Sequence, residues 1–491
     1  MLTKLSIENF KAFGATQEFR LARITLIYGP NSAGKSCILQ ALRCLKQSVE
    51  SAGAASGEFV TNGPLARLGE FGSLVHNRRV QSSMRFGVWT GINGAIVEIK
   101  KESPPGLARP LEGTEDEVGA ERYLSRDTRW ARGGRVERVA LVARNGASLT
   151  FLHTKEGWNG GYRVESDRPV ADLMAWLEAC IGPGSLAQEA KQSAALYLQS
   201  GEIPFFESHG WLPGLRKGDD WRLVNGILDV GSDHWSDRIT TPATDFEQHA
   251  KSIVGEWASD VEVTLRGCTF VGPIRHMPSG LSYDEDGLVS EGDLGAPGLG
   301  QVLHNHPQAL SRLNENLATM ELPYRVIAKD VDMGFGSGVV LYLLGRGSKI
   351  RLQLRDVGYG CSQLLPVLLA AVYPSDVACV EQPELHLHPR QQGHLTDLFI
   401  DSSATQPEGG NSAGPTQWIV ETHSEAIISR LQRRIRQGRL SSNDVSVLFV
   451  EPSVEGSRVI PLRLDEKGQF IDEWPGGFFE ETYWDLFGGV Q

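Results

Sequence analysis

Cysteine is scarce in this chain and is never paired at close spacing. The 491 residues contain six cysteines, scattered singly, without any C-x-x-C motif. This pattern excludes a dense disulfide framework and predicts reduced thiols in the cytoplasm. Long apolar runs are also missing, since none approaches the ~20 residues that a membrane-spanning helix needs. The opening residues lack the apolar core of a signal peptide. We therefore predict a cytoplasmic protein that makes no membrane contact.

An excess of positive charge is lacking as well. The formal net charge is −12 at pH 7, with 22% charged and 41% hydrophobic residues, which are ordinary values for a globular protein. Such a balance argues against a uniformly basic nucleic-acid binder, although a local basic channel remains compatible with it. The sequence shows no internal repeat. It also lacks the sustained heptads that long coiled-coil arms would require.

A complete G-x-x-x-x-G-K-[ST] motif is the most informative feature that is present. It follows an apolar run, Ile24–Tyr28, and precedes a stretch with helical character, 37–47. This strand–loop–helix context separates a phosphate-binding loop from a chance glycine-rich turn. The residues predicted to bind nucleotide here are Gly29, Asn31, Ser32, Ala33, Gly34, Lys35 and Ser36.

The chemistry of this loop explains its residue types. Backbone N–H groups and the helix N-terminus can surround a triphosphate. Lys35 would reach the β and γ phosphates, and Ser36 would coordinate Mg²⁺. Gly29 and Gly34 allow a tight turn close to the ligand, because they carry no Cβ. The motif therefore predicts ATP and Mg²⁺ as cofactors.

The nucleotide chemistry resumes near the other end of the chain. A short apolar strand, 377–380, leads into Glu381, and a second, 418–420, leads into Thr422-His423-Ser424. An acidic residue at the end of a buried strand is what Mg²⁺ coordination requires. We therefore predict an α/β ATPase whose two halves are separated by a long insertion.

The predicted organisation has four parts. Residues 1–75 form the first half of the ATPase head, and residues 346–450 form the second. Between them, residues 76–345 form an inserted α+β region, with a β lobe first and a mostly helical lobe over 170–263. A hairpin is predicted over 339–354, and residues 451–491 form a C-terminal tail.

Residues 381–389 read Glu-Gln-Pro-Glu-Leu-His-Leu-His-Pro, and at this point a family resemblance is plain. The chain resembles the ABC-type AAA ATPases related to the RecF, SMC and OLD proteins. Within them it is similar to a bacterial family whose Walker B region reads E-[NQ]-P-E-x-H-L-H-P. The segments that carry the likeness further are Ile7–Lys11, 271–275, 358–368, 420–435 and 474–481, the last in a domain of unknown function. The implied fold is an ABC/SMC-type head with a mixed sheet and flanking helices.

The resemblance also implies roles. Glu381 would help to hold the Mg²⁺ shell, and His423 would contact the γ-phosphate as a switch histidine. Gly358 and Gly360 would form a signature segment that faces the nucleotide of the opposite subunit. Nucleotide between two chains implies a homodimer or an assembly of dimers.

One residue departs from the pattern of most ABC ATPases. The glutamate that usually follows the Walker B acid is replaced by Gln382, and an amide cannot accept a proton. Glu384 could act as the base instead, or His423 could orient the water. We therefore expect slow or conditional hydrolysis, with ATP acting as a clamp.

Several other patterns favour structural readings. His386 and His388 could suggest zinc, but no third ligand stands at suitable spacing. Arginines around Trp130, from Arg122 to Arg138, could contact a DNA backbone, although interspersed acids favour a solvated loop. Five arginines after His423 are expected on a solvated or subunit-facing surface; they are Arg430, Arg433, Arg434, Arg436 and Arg439. The aromatic tail, with Phe478, Phe479, Tyr483, Trp484 and Phe487, is expected to pack in the core.

Two functions fit these features. The first is the sensor or scaffold ATPase of a bacterial anti-phage defence system that controls a separate effector, such as a nuclease. The alternative is a RecF/SMC-like ATPase that clamps DNA in repair or maintenance. A nuclease within this chain is disfavoured, because no cluster of acids resembling a Toprim domain is visible.

Overall fold

The computed structural model describes residues 1–51, 58–91, 93–101, 134–143, 145–154, 161–181, 205–209, 212–214, 221–224, 227–230, 242–273, 275, 281–283, 299–332, 337–373, 375–404 and 415–479. The chain divides into two compact units. One contains Met1–Thr3, Gln17–Leu39 and Gly267–Gln491, and the other contains Lys4–Thr16 and Gln40–Arg266.

The strands are β1 (Leu2–Glu8), β2 (Gln17–Arg20), β3 (Ile24–Tyr28), β4 (Met84–Thr90), β5 (Asn93–Lys100), β6 (Arg135–Val142), β7 (Ser148–Thr154), β8 (Gly161–Val164), β9 (Phe205–His209), β10 (Leu212–Gly214), β11 (Trp221–Val224), β12 (Ile227–Val230), β13 (Cys268–Val271), β14 (Leu281–Tyr283), β15 (Tyr324–Asp332), β16 (Ser337–Gly345), β17 (Arg351–Leu352), β18 (Val377–Glu381), β19 (Gln417–Glu421), β20 (Val445–Glu451) and β21 (Arg458–Leu462). The helices are α1 (Lys35–Glu50), α2 (Phe71–Leu74), α3 (Pro169–Ile181), α4 (Pro242–Arg266), α5 (Leu299–Asn305), α6 (Pro307–Thr319), α7 (Tyr359–Val372), α8 (Pro389–Ala404) and α9 (Glu425–Arg436).

The first unit is built on a mixed sheet in the order β13-β18-β19-β3-β20-β21. Strands β13 to β20 in this order pair in parallel, and β21 is antiparallel to β20. The central strands β18, β19 and β3 are buried along their whole length. Continuous apolar runs are typical of parallel strands that are covered on both faces, which is why these short segments could be recognised.

Helices α7, α8 and α9 contribute side chains to one hydrophobic core with this sheet. Trp418 of β19 is fully buried there with Leu368, Phe399 and Leu431. Its ring centroid lies 4.5 Å from that of Phe399, and its indole N–H donates to the Ser402 hydroxyl at 3.0 Å. A buried indole thus keeps its hydrogen bond while contributing a large apolar area.

The C-terminal aromatic residues pack around Tyr28, the residue before the phosphate loop. The ring centroids of Trp474 and Phe479 lie 5.3 and 5.6 Å from that of Tyr28. The Tyr28 hydroxyl donates to the carbonyl of Ser424, at the start of α9, at 3.0 Å. Phe478 joins the same cluster, whereas Tyr483, Trp484 and Phe487 lie outside the described residues. Core packing is therefore confirmed for Phe478 and Phe479.

The second unit contains a large sheet in the order β10-β9-β8-β7-β6-β5-β4-β1. Each pair from β10 to β4 is antiparallel. Helix α4 packs on it through Trp257, whose indole N–H donates to the Gly94 carbonyl at 3.3 Å. The Trp257 ring also meets Trp176 of α3 edge-on, with centroids 5.3 Å apart.

The expected α/β class with a mixed sheet is confirmed, while some strands were not predicted. Within 170–263, helices α3 and α4 agree with the predicted helical character, but β9 to β12 occupy parts of 205–230. The predicted hairpin is confirmed by β16 and β17, and β16 also pairs along nine residues with β15, which the sequence pattern did not reveal. β9 pairs with β10, β11 with β12 and β15 with β16, each a neighbour in the sequence. Strand preference depends strongly on context, so the sequence pattern of these segments did not reveal them. The four-part boundaries stay a prediction.

Candidate functional site

The phosphate loop connects the carboxyl end of β3 to α1. Three of its residues have positive φ: Gly29 at 143°, Ser32 at 62° and Gly34 at 97°. A Cβ on Gly29 would lie 2.2 Å from the carbonyl oxygen of Val450. Both the backbone angle and the close approach therefore require glycine at this position.

Lys35 is folded back onto its own loop. Its side chain is only 4% exposed, and its ammonium donates to the carbonyls of Gly29 at 3.0 Å and Pro30 at 2.7 Å. Burial lowers the pKa of Lys35, while the carboxylates of Glu421 and Glu384 act in the opposite direction. A buried cation whose hydrogen bonds, in the described part of the chain, go to two loop carbonyls is well suited to an anionic ligand.

Two acids lie side by side at the carboxyl edge of the sheet. In the parallel register, Glu381 of β18 is opposite Glu421 of β19, and Glu421 is opposite Ile27 of β3. The Ser36 hydroxyl donates to Oε1 of Glu421 at 3.1 Å. Burial raises the pKa of Glu421 to about 6; the Ser36 hydrogen bond lowers this pKa and the Glu381 carboxylate raises it further.

Glu421 was not among the residues predicted from sequence. It ends a fully buried apolar strand in the same way as Glu381 does. That signal could have identified it beside His423.

The turn after Glu381 brings Gln382 and Glu384 next to the switch segment, the residues Thr422-His423-Ser424 that follow β19. Gln382 has a φ of 46°, and its N–H donates to the carbonyl of Glu421 at 2.7 Å. Oε1 of Glu384 accepts the backbone N–H of His423 at 2.7 Å. Burial raises the pKa of Glu384, partly opposed by this hydrogen bond, and burial lowers the pKa of His423, as does nearby Lys35. The fold thus brings together Lys35, Ser36 and all the predicted acidic and switch residues.

The two signature glycines differ in their surroundings. Gly358 is the N-cap of α7 and is exposed, and a Cβ there would meet no atom within 4 Å. A Cβ on Gly360 would lie 2.5 Å from the carbonyl oxygen of His386 in the same chain. Gly360 is therefore needed for packing within its own chain, whatever it does toward a second one. Gly358 is the residue that could face a second chain without internal contacts.

Arg275 connects the signature helix to the Walker B turn. Its side chain is 3% exposed and donates to the carbonyls of Gly272, Gln363, Glu381 and Gln382 at 2.7 to 3.0 Å. The Gln363 amide of α7 donates back to the Arg275 carbonyl at 2.8 Å. Burial lowers the pKa of Arg275 to about 10, although the Glu384 and Glu381 carboxylates oppose this shift. In the sequence, Arg275 ends the segment 271–275 that carries part of the family likeness, and no role was predicted for it.

Three of the five arginines after His423 form ion pairs within the chain. Asp397 of α8 binds Arg430 at 2.7 Å and Arg434 at 2.5 Å, and Asp401 binds Arg439 at 2.7 Å. The expectation of a solvated or subunit-facing surface is wrong for Arg430 and Arg434, which are largely covered and join α9 to Asp397 of α8. Arg439 is exposed, as expected. Among the described residues, no group of three or more His, Cys, Asp or Glu side chains is placed to hold a metal by itself.

Family comparisons agree with this geometry. Residues 284–429 match the model for "AAA domain, putative AbiEii toxin, Type IV TA system", and residues 4–64 match an AAA domain model. Residues 440–487 match a protein family of unknown function, DUF3696. Each match covers less than half of the chain. Together they support an AAA-type ATPase, in line with the resemblance seen in the sequence.

Solved structures similar to this chain include SMC head domains. The SMC head bound to the C-terminal winged-helix domain of ScpA is 12% identical to this chain, with a TM-score of 0.43. The superposition covers 95% of this chain and 98% of the SMC head. A head domain from Thermotoga maritima is 11% identical, with a TM-score of 0.33 over 94% and 99% of the two chains. At these TM-scores the likeness supports no conclusion about function. The comparison with curated proteins gave no match. No helix within the described parts of the chain is long and apolar enough to cross a membrane.

Replacing Arg275 tests its structural role. Arg275→Gln should leave several buried carbonyls without donors, which we expect to cost roughly 3 kcal/mol of folding free energy. The urea midpoint of unfolding measures this loss. Arg433→Gln, on the exposed face of α9, is the matched control and should shift the midpoint little. Equal midpoints for the two variants would contradict the role assigned to Arg275.

Proposed function

We propose that this chain binds ATP with Mg²⁺ and hydrolyses it slowly. The observation that carries the proposal is the contact between Ser36 and Glu421, with Lys35 and Glu381 beside them. A phosphate loop, a buried lysine and carboxylates at the ends of adjacent parallel strands are the parts that phosphoryl transfer uses. Catalysis of this kind depends mainly on positioning and electrostatic stabilisation.

The residues present fit a magnesium ion. The Ser36 hydroxyl and the Glu381 carboxylate are oxygen donors, which Mg²⁺ prefers, and Mg²⁺ usually adds phosphate oxygens and waters to one or two carboxylates. When bound, the ion would neutralise charge on the phosphates. Lys35 would exchange its two loop carbonyls for phosphate oxygens, and the loop N–H groups would orient the triphosphate.

Slow turnover is proposed because the site lacks a glutamate at position 382. The Gln382 side chain can orient a water but cannot take its proton. The Glu384 carboxylate accepts the backbone N–H of His423, and this bond fixes its position. We propose that Glu384 supplies what base catalysis there is, with His423 near the γ-phosphate.

The signature segment supports a two-chain arrangement. Gly358 lies exposed at the N-terminus of α7, where backbone N–H groups could approach a second chain's nucleotide. We propose a homodimer, or an assembly of dimers, that closes on ATP and opens after hydrolysis.

As a biological role we favour the regulatory ATPase of a bacterial defence system with a separate effector. The family model over residues 284–429 carries a toxin–antitoxin description, which supports this class. The alternative is DNA clamping. Most arginines around Trp130 lie outside the described residues, but Arg138 is engaged by Glu165, Glu137 and Glu98. These ion pairs weaken the case for an open basic surface there.

Native co-purification separates the two roles. We expect the chain, expressed with its neighbouring genes, to retain an effector protein at fixed stoichiometry through size-exclusion chromatography. We expect only weak, salt-sensitive retardation of duplex DNA in gel-shift assays. Tight ATP-dependent DNA binding without any co-purifying protein would favour the clamp instead.

A mixing experiment tests the two-chain site. Lys35→Ala should abolish ATP binding, because it removes the charge that meets the β and γ phosphates. Gly358→Arg should bind ATP normally but fail to hydrolyse it. An equal mixture should recover about a quarter of wild-type turnover, because half of the dimers are mixed and each has one intact site. Turnover in the mixture no higher than in the separate variants would contradict the arrangement.

A pair of substitutions tests the base. Glu384→Gln keeps an oxygen for the His423 N–H but cannot take a proton, so we expect turnover to fall by about 10² with unchanged ATP affinity. Gln382→Glu should raise turnover, since it restores a carboxylate beside the attacking water. Steady-state phosphate release and calorimetry measure the two quantities. Wild-type rates in both variants would rule out both carboxylates as the base.

A further inference from the structure

The sheet edge carries a second acid, Glu421, one strand closer to the phosphate loop than Glu381. We propose that Glu421 is a direct ligand of the nucleotide-bound divalent metal, together with Ser36, an inference that rests on the proposed ATP·Mg²⁺ function. Glu421 ends β19, the strand between β18 and β3. It therefore lies nearer to the phosphate loop than Glu381, its register partner on β18.

The distance between the two proposed ligands fits one metal ion. Oxygens in adjacent positions of an octahedral Mg²⁺ site, each about 2.1 Å from the metal, lie about 3.0 Å apart. The Ser36 hydroxyl oxygen and Oε1 of Glu421 are 3.1 Å apart. The hydrogen bond between them thus holds both oxygens at the spacing that a shared cation needs.

The second oxygen of Glu421 points to the same conclusion. The side chain is 4% exposed, and Oε2 has no hydrogen-bond partner among the described residues. A buried carboxylate oxygen without a partner is costly unless a cation compensates it. The ammonium of Lys35 does not fill this role, because it donates to the carbonyls of Gly29 and Pro30.

The metal would arrive with the nucleotide. The described part of the chain offers no cluster of three or more metal-binding side chains, so phosphate oxygens must complete the coordination. Without metal, the Glu421 carboxylate would repel a triphosphate. Glu421 should therefore strengthen nucleotide binding only when Mg²⁺ is present.

The metal dependence of nucleotide affinity tests this inference. We would measure the Kd of ATPγS by calorimetry in Mg²⁺ and in EDTA for the wild type and for Glu421→Gln, which keeps an acceptor for the Ser36 hydroxyl. In Mg²⁺ the variant should bind at least about tenfold more weakly. In EDTA it should bind as well as the wild type, or better. Glu425→Gln, four residues on and exposed, should behave like the wild type in both conditions.

Two results would overturn the inference. Equal loss of affinity in Mg²⁺ and EDTA would show that Glu421 only shapes the loop, and unchanged affinity in both would show that it has no role toward the metal. If Glu421→Gln does not fold, Glu421→Asp replaces it. Loss of part or all of the Mg²⁺ advantage in Glu421→Asp would support the inference, and full retention would overturn it. A wild-type chain that binds no nucleotide would instead refute the proposed function.

Discussion

The carboxyl ends of three adjacent parallel strands finish at one level, and the site depends on this register. Glu381 on β18 lies opposite Glu421 on β19, which lies opposite Ile27, two residues before Gly29. Because side chains alternate between the two faces along a strand, a slip by one residue would turn every side chain of that strand to the other face of the sheet. The hydrophobic core thus fixes where the acids meet the phosphate loop.

Charge balance explains why this edge suits a metal-bound polyanion. Three buried acids, Glu381, Glu384 and Glu421, share the site with one buried ammonium, that of Lys35. Burial raises the pKa values of Glu384 and Glu421, since removal from water disfavours their charged forms. A triphosphate alone would add repulsion, whereas a triphosphate carrying a divalent cation would relieve it. The buried Arg275 guanidinium attracts the Glu384 and Glu381 carboxylates, although its hydrogen bonds go to backbone carbonyls that hold the Walker B turn.

The features that could be predicted from sequence are those whose chemistry is local. The phosphate loop lies within one strand–loop–helix segment, and Glu381 follows an unmistakable buried strand. The contact between Ser36 and Glu421 joins residues 385 positions apart, so only the sheet order reveals it. The role of Arg275 in holding the Walker B turn could not be predicted either, because its carbonyl partners become neighbours only after folding. The sequence predicts that Gly360 faces the neighbouring chain. Its close approach to His386 shows that glycine is required there for packing within its own chain. Strands β9 to β12 and β15 are different, because they pair with sequence neighbours. They were not predicted because strand preference depends on context more than helix preference does.

Anomalous diffraction from crystals grown with Mn²⁺ and ATPγS would test the central claim most directly. We expect one manganese peak per chain beside the Ser36 hydroxyl, within coordination distance of the Glu381 and Glu421 carboxylates, with the triphosphate along residues 29–36. A nucleotide bound there with its metal remote from both acids would contradict the claim, as would a nucleotide bound elsewhere on the chain.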